Sequence, residues 1–280
     1  MKKIFKLIVG GLPIVFAQPV LSQKLPNVQA ISLHSPSSIK IDGNLNEWGS
    51  NLQAYNKATQ IFYSMANDND NLYLAIRITD KAAISKAVLG GITLIINSSP
   101  KSETGSTIEI TFPKYDMVMQ PKNFSFNYKV SKTGDSLLKK SEVDSVKRAY
   151  TAKVASKAKA IGVVGVDNIS DGAISIYNDL NIKAAFSFDN ELAYNYELAL
   201  PLKYLRFIKN KQDIFYKIQL NGLRVDGTSI RTVPGRDDHF IFSNPDGSLY
   251  TLGGGLDVLD LMSASNFTGV YVLVNDTERK

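Results

Sequence analysis

The chain is predicted to fold as an all-β protein, an antiparallel β-sandwich of jelly-roll-like character with a short helical insertion. Three observations predict this. Apolar residues alternate along short segments, clusters of Asn, Asp, Gly and Pro separate those segments, and few stretches keep a helical period.

Ile61 to Ala66 reads as a first short strand, followed by the turn-rich run Asn67-Asp68-Asn69-Asp70-Asn71. Leu72, Leu74, Ile76 and Ile78 then alternate. Two such segments joined by residues that tolerate left-handed backbone and make Asx-turns form a hairpin. Ile92 to Asn97 is almost continuously apolar, as in a strand covered on both faces. Ile108 to Phe112 alternates strictly and is expected to stop at Pro113. Ile182 to Phe188 and Tyr194 to Leu200 make a second hairpin about a tight Asp189-Asn190 turn. Pro201 closes it, and one helical turn follows over Leu202 to Phe207. Phe215 to Leu220 and Val270 to Val274 are further strands.

One stretch departs from this pattern. Ser136 to Ala160 is rich in Lys, Ala and Ser and predicts a helix over Leu137 to Tyr150, inside an insertion at about 114–160. Between Lys129 and Lys159, nine Lys and Arg stand against Asp135, Glu142 and Asp144. Such a run could offer an acidic glycan or an anionic surface a basic patch. The favoured reading is a solvated insertion, since charge runs are usually solvated faces.

The N-terminus carries an export pattern. Lys2, Lys3 and Lys6 precede the apolar run Leu7 to Phe16, and small residues at Val15 and Ala17, or Val20 and Ser22, suit a signal peptidase. The run is too short to span a bilayer, which takes about 20 apolar residues, and Pro13 interrupts it. Residues 1–22 are therefore read as a cleaved signal peptide, 23–38 as a leading segment or linker, and 39–280 as a single sandwich domain. The expected protein is exported, to the periplasm, cell surface or medium, with no stable membrane span after processing.

The absence of cysteine excludes a lipoprotein anchor and disulfides, so stability must come from burial. The net charge of +6 falls to near +3 once the signal lysines leave. That balance gives no reason to expect nucleic acid as a partner.

Enzyme signatures are missing: there is no Gly-x-Ser-x-Gly elbow, no phosphate-cradling loop and no dinucleotide fingerprint. Gly253-Gly254-Gly255 reads as a turn. Paired glycosidase carboxylates carry no local signature, so a glycan-active hydrolase stays as an alternative, while the residues favour a non-catalytic protein. No cofactor is expected. Asp68 and Asp70 are candidate calcium ligands, but their spacing lacks the Gly and Glu of an EF-hand and a hairpin turn explains them. Gly235-Arg236-Asp237-Asp238-His239 is read as a polar loop. His34 and His239, with Met65, Met117, Met119 and Met262, are poor candidates for haem ligation.

Ile39-Lys40-Ile41-Asp42-Gly43-Asn44-Leu45-Asn46-Glu47-Trp48 resembles the "IDG-x-L-x-E-W" opening of carbohydrate-binding-module family 9-like domains. Asp70-Asn71-Leu72-Tyr73-Leu74-Ala75 is similar to the family's "D-x-N-L-Y-L-A" hairpin, and Thr79-Asp80 stands where the family strand often ends. Gly91 to Asn97 matches the next core strand, and Tyr194 to Leu202 resembles the late "Y-x-x-E-x-x-I-P" strand. Exported Bacteroidetes forms of the group look alike in these features. The resemblance covers most of residues 39–220 and implies a sandwich module with a glycan as first candidate ligand. Ile41, Asp42, Gly43, Leu45, Glu47 and Trp48 are read as a fold signature: Gly43 permits a turn, the Asp42 carboxylate accepts backbone N–H groups, and Trp48 closes one end of the sandwich.

Sugar-binding members of the family sandwich a sugar between two tryptophans, and this chain has one. Tyr115, Tyr128, Tyr150, Tyr177 and Tyr250 are candidate substitutes, and no ligand-binding residue is assigned. The leading alternative is a structural or assembly protein of the cell envelope that uses the fold without a sugar site.

Overall fold

The computed structural model describes residues 24–49, 52–100, 106–115, 140–167, 169, 172–205, 213–223, 229–233, 236–243, 249–252 and 258–275, with backbone alone at 140–141, 229–252 and 258. The signal peptide, Tyr128, Met117, Met119 and Gly253 to Gly255 lie outside the described residues.

The architecture is an antiparallel sandwich. One sheet has five strands in the order β1 (Ala54–Asn56), β2 (Ile61–Asn67), β3 (Asn71–Ile78), β9 (Tyr194–Pro201) and β8 (Lys183–Phe188). The second has six, in the order β14 (Ser265–Val272), β10 (Asp213–Leu220), β4 (Ile92–Asn97), β5 (Thr107–Lys114), β6 (Ala160–Val164) and β7 (Ala173–Ser175). A small third sheet holds β11 (Ser229–Val233), β12 (Arg236–Ser243) and β13 (Leu249–Leu252).

Alternation sets the inner faces. Leu72, Leu74, Ile76 and Ile78 of β3 stand opposite Leu200, Leu198, Tyr196 and Tyr194 of β9, and all are buried. From the second sheet Ile214, Tyr216, Ile218 and Leu220 join them in one apolar cluster. Burial of this kind supplies about 25 cal/mol for each Å² of apolar surface removed from water. A polar contact also crosses the core: the hydroxyls of Tyr63 (β2) and Tyr216 (β10) lie 2.8 Å apart. The expected β2–β3 hairpin forms, closing at Asn67 opposite Leu72. β4 is buried along both faces, as its continuous apolar sequence predicted.

Several expectations need correction. β5 passes through Pro113 rather than stopping there, because its pairing with β6 is bulged between Thr111 and Lys114 and its pairing with β4 ends at Phe112. A bulge is where a strand tolerates a residue without an N–H. The Asp189-Asn190 turn is wider than a two-residue loop, because the Asp189 carboxylate accepts from the N–H groups of both Glu191 and Ala193. Arg236 to His239 belong to β12 rather than to a loop, since the aromatic and β-branched run that follows carries the strand. After Pro201 the chain makes a 3-10 turn over Leu202–Tyr204.

The helix α1 (Lys81–Gly90) was not foreseen. It carries the chain from the first sheet to the second. Asp80 caps it by accepting from the Ala83 N–H at 2.9 Å, and Gly91, at φ +80°, ends it. Residues Ala83 to Leu89 are all buried, so no polar stripe marks the helix in the sequence. The insertion helix α2 (Lys140–Ala155) does form and continues past the expected end at Tyr150, while 137–139 lie outside the described residues. It docks on β8 through Tyr150, whose ring lies 5.7 Å from that of Phe188, and through the fully buried Val154, while Arg148, Lys153 and Lys157 face solvent. A last short helix, α3 (Val258–Met262), places Asp260 beside the buried Lys86 of α1 at 2.9 Å.

The leading segment lies along the open edge of β2. The Gln29 side-chain amide bonds both backbone groups of Met65, at 2.6 and 2.9 Å, where β1 no longer reaches. Leu33 and Ser35 then bond the backbone of Asn67.

Candidate functional site

The signature residues gather on the outer face of the five-stranded sheet, not at an end of the sandwich. Glu197 sits in mid-β9 with its side chain on that outer face, opposite Ala75 and Ala185, and is 0 % exposed. Its Oε2 accepts the backbone N–H groups of Asp42 (3.1 Å) and Gly43 (2.9 Å), and its Oε1 accepts the Trp48 indole N–H at 2.9 Å. Trp48 therefore joins the sheet through its polar edge, which corrects the expectation that it caps the sandwich. The reason is the carboxylate, which would be left unpaired in a dry position without those donors.

The turn itself forms as the sequence suggested. The Asp42 carboxylate accepts from the Asn44 N–H at 2.8 Å, and Gly43 takes φ +82°. A Cβ on Gly43 would stand 2.3 Å from the Phe186 carbonyl carbon and 2.6 Å from the Ser187 nitrogen, so only glycine allows this approach to β8. Ser187 Oγ completes the contact by donating to the Gly43 carbonyl at 2.7 Å. Leu45, Glu47 and Trp48 continue as a 3-10 turn, half-buried. Burial raises the Glu197 carboxyl above its ordinary value, and the donors from Trp48, Gly43 and Asp42 only partly offset it.

Beside this contact lies a concave region of about 790 Å³, open to solvent. The sheet register explains the hollow. Tyr73, Ala199 and Lys183 stand in line across β3, β9 and β8 on the outer face, and the small Ala199 leaves space between two long side chains. Ile39, Lys40 and Ile41 form one wall, and Asn69, Asp70 and Asn71, with Leu202 and Lys203, form the other. The lining is mainly polar, and Asp70 is the one carboxylate among the described lining residues. Hydrolysis of a glycosidic bond ordinarily takes two.

Of the two calcium candidates, only Asp70 lines this groove. Asp68 is engaged within the hairpin turn: its Oδ1 accepts from the N–H groups of Asp70 (2.8 Å) and Asn71 (2.7 Å), and its Oδ2 accepts from the Tyr73 hydroxyl (2.7 Å). Burial alone would raise this carboxyl, but those bonds together hold it below the usual carboxylate range. Among the described residues no three acidic, His or Cys side chains cluster as metal ligands would.

The candidate tyrosines scatter. The Tyr115 hydroxyl donates to the Val88 carbonyl, and Tyr150 packs on Phe188. Tyr177 is 84 % exposed and alone among described tyrosines in being so. Tyr250 lies on β13, where the backbone alone is described. His34 forms an isolated bridge with Asn67 in the leading segment, and Met65 is core. Sequence reasoning missed Lys40, Asn181, Lys183 and Lys203 as a group. Lys40 lies inside the signature and Lys183 on an alternating strand, but no periodicity links three separate segments.

Fold and site together define a β-sandwich with an open polar groove on one outer sheet face. Searches against protein-family models, curated proteins and solved structures find no match for the chain.

Proposed function

We propose that this protein is an exported, non-catalytic binding or accessory module whose ligand is a glycan. The groove beside Ala199 carries this reading. It is concave, it is large enough for a short oligosaccharide, and its amide and ammonium groups suit a polyhydroxylated ligand. The resemblance of residues 39–48 and 194–202 to family 9-like modules supports it, as does the basic-then-apolar N-terminus for export.

Affinity electrophoresis of the processed protein against immobilised neutral and acidic polysaccharides tests the reading. Retardation in at least one gel is expected, and unchanged mobility in all of them overturns it. N-terminal sequencing of the exported form should find residues near 18 or 23 at the start.

A second reading, a structural or assembly protein of the envelope, is favoured by one observation. Among the described residues no two exposed tyrosines stack as a platform for a sugar ring, and Trp48 is tied to Glu197.

A further inference from the structure

We propose that the groove beside Ala199 is a site for an acidic saccharide, bearing carboxylate or sulfate groups, held by Lys40, Lys183 and Lys203 and by the amides of Asn71 and Asn181. The inference rests on the glycan-binding reading and names its ligand class and residues.

Charge comes first. Among the described lining residues, three lysines from three separate segments face the single Asp70, and none of them forms an ion pair there. Lys203 is steadied on the rim, its Nζ 5.0 Å from the centre of the Tyr204 ring. Unpaired ammonium groups around a concavity focus an attractive field on an anion.

Among the described lining residues no ring face is offered to a neutral ligand. Tyr73 is the one aromatic residue among the described lining, it is 6 % exposed, and its hydroxyl already donates to Asp68. A neutral pyranose would therefore lack the ring contact that usually supplies its apolar binding energy. An acidic sugar gains charge-assisted hydrogen bonds instead.

Both walls are pinned before any ligand arrives. The Asp42 N–H, one residue past Ile41, is held by Glu197, which lies two residues before Ala199 on the same outer face of β9. Across the groove the Leu202 N–H donates to the Asp70 carbonyl at 2.7 Å, and Asp68 holds the Asp70 N–H. Asn181 is fixed in the left-handed region at φ +62°. A preorganised site loses little conformational entropy on binding. The Asp42–Gly43 turn and Trp48 thus position the wall from which Lys40 reaches the ligand.

Isothermal titration of the full processed protein tests this with three probes: oligogalacturonate, a sulfated oligosaccharide of similar length, and an uncharged cello-oligosaccharide. One or both acidic probes should bind, and which one does tells carboxylate from sulfate recognition. Lys183→Ala with Lys203→Ala should weaken that binding by about tenfold or more, with an unchanged melting temperature since both side chains are exposed. Ala199→Leu should fill the hollow and weaken binding too. Acidic-probe binding that survives both variants would place the ligand elsewhere and overturn the proposal. Binding of the neutral probe alone would overturn it while leaving the glycan-binding reading intact. No binding of any probe would overturn the proposal, and the polysaccharide gels would then decide the glycan-binding reading.

Discussion

The indole N–H of Trp48 donates to the Glu197 carboxylate at 2.9 Å, tying together residues 149 positions apart in the chain. Around this bond the leading turn is fixed to the outer face of the five-stranded sheet, and the wall of the groove with it. Glu197→Gln should be destabilising by about 1–3 kcal/mol, because one end of the amide must then present N–H to an N–H donor. Trp48→Phe should cost a similar amount by leaving Oε1 unpaired in a buried place. In urea denaturation the double variant should lose less than the sum of the two. Additive losses would show that the two residues act independently.

The two carboxyls of this face should give opposite pH signatures. Glu197 is raised in the folded state, so its contribution to stability is full below its unfolded value of about 4.3 and is lost as pH rises through the folded value. Asp68 is lowered, so its contribution is present above about 3.9 and is lost as pH falls through its folded value. The wild-type advantage over Glu197→Gln should therefore be greatest in acid, and that over Asp68→Asn greatest near neutrality. Parallel stability–pH curves for wild type and either variant would contradict the assigned shift.

Gly43→Ala should be the most damaging single methyl addition in the signature. The left-handed backbone costs an alanine about 1–2 kcal/mol, and the clash with the β8 backbone adds about 1–3 kcal/mol. Thermal unfolding should show a large drop in midpoint; a shift as small as that of a surface substitution would mean the turn stands off β8.

Tyr63→Phe should destabilise more than Tyr216→Phe. The Tyr63 hydroxyl meets both Tyr216 and the Gln29 N–H, at 2.8 and 2.9 Å, so its removal strands two groups. The Tyr216 hydroxyl has one such partner in that contact, and its loss is expected to cost about 1 kcal/mol. Chemical denaturation reads the order directly, and the reverse order would remove Gln29 from the account.

Asp68→Ala should lower the melting temperature equally in EDTA and in millimolar calcium, because the carboxylate serves its own turn and Tyr73. A calcium-dependent rise in the wild type, absent from Asp68→Ala, would instead make the loop a metal site.

Local patterns in the chain were enough to determine the sandwich class, the β2–β3 and β8–β9 hairpins and the doubly buried β4, because alternation and turn chemistry act over a few residues. They also marked Asp42, Gly43 and Trp48 as structural. Tertiary structure alone decided what these residues hold. Glu197 was legible only as the acidic residue of a family-like strand until the fold placed its carboxylate under the Asp42–Gly43 turn. Likewise α1 was hidden because burial on every side erases amphipathic spacing, and the groove because Lys40, Ala199, Lys183 and Lys203 meet only when register and packing bring their segments together. Contacts made across a hundred or more residues leave no period in the sequence for a reader to find.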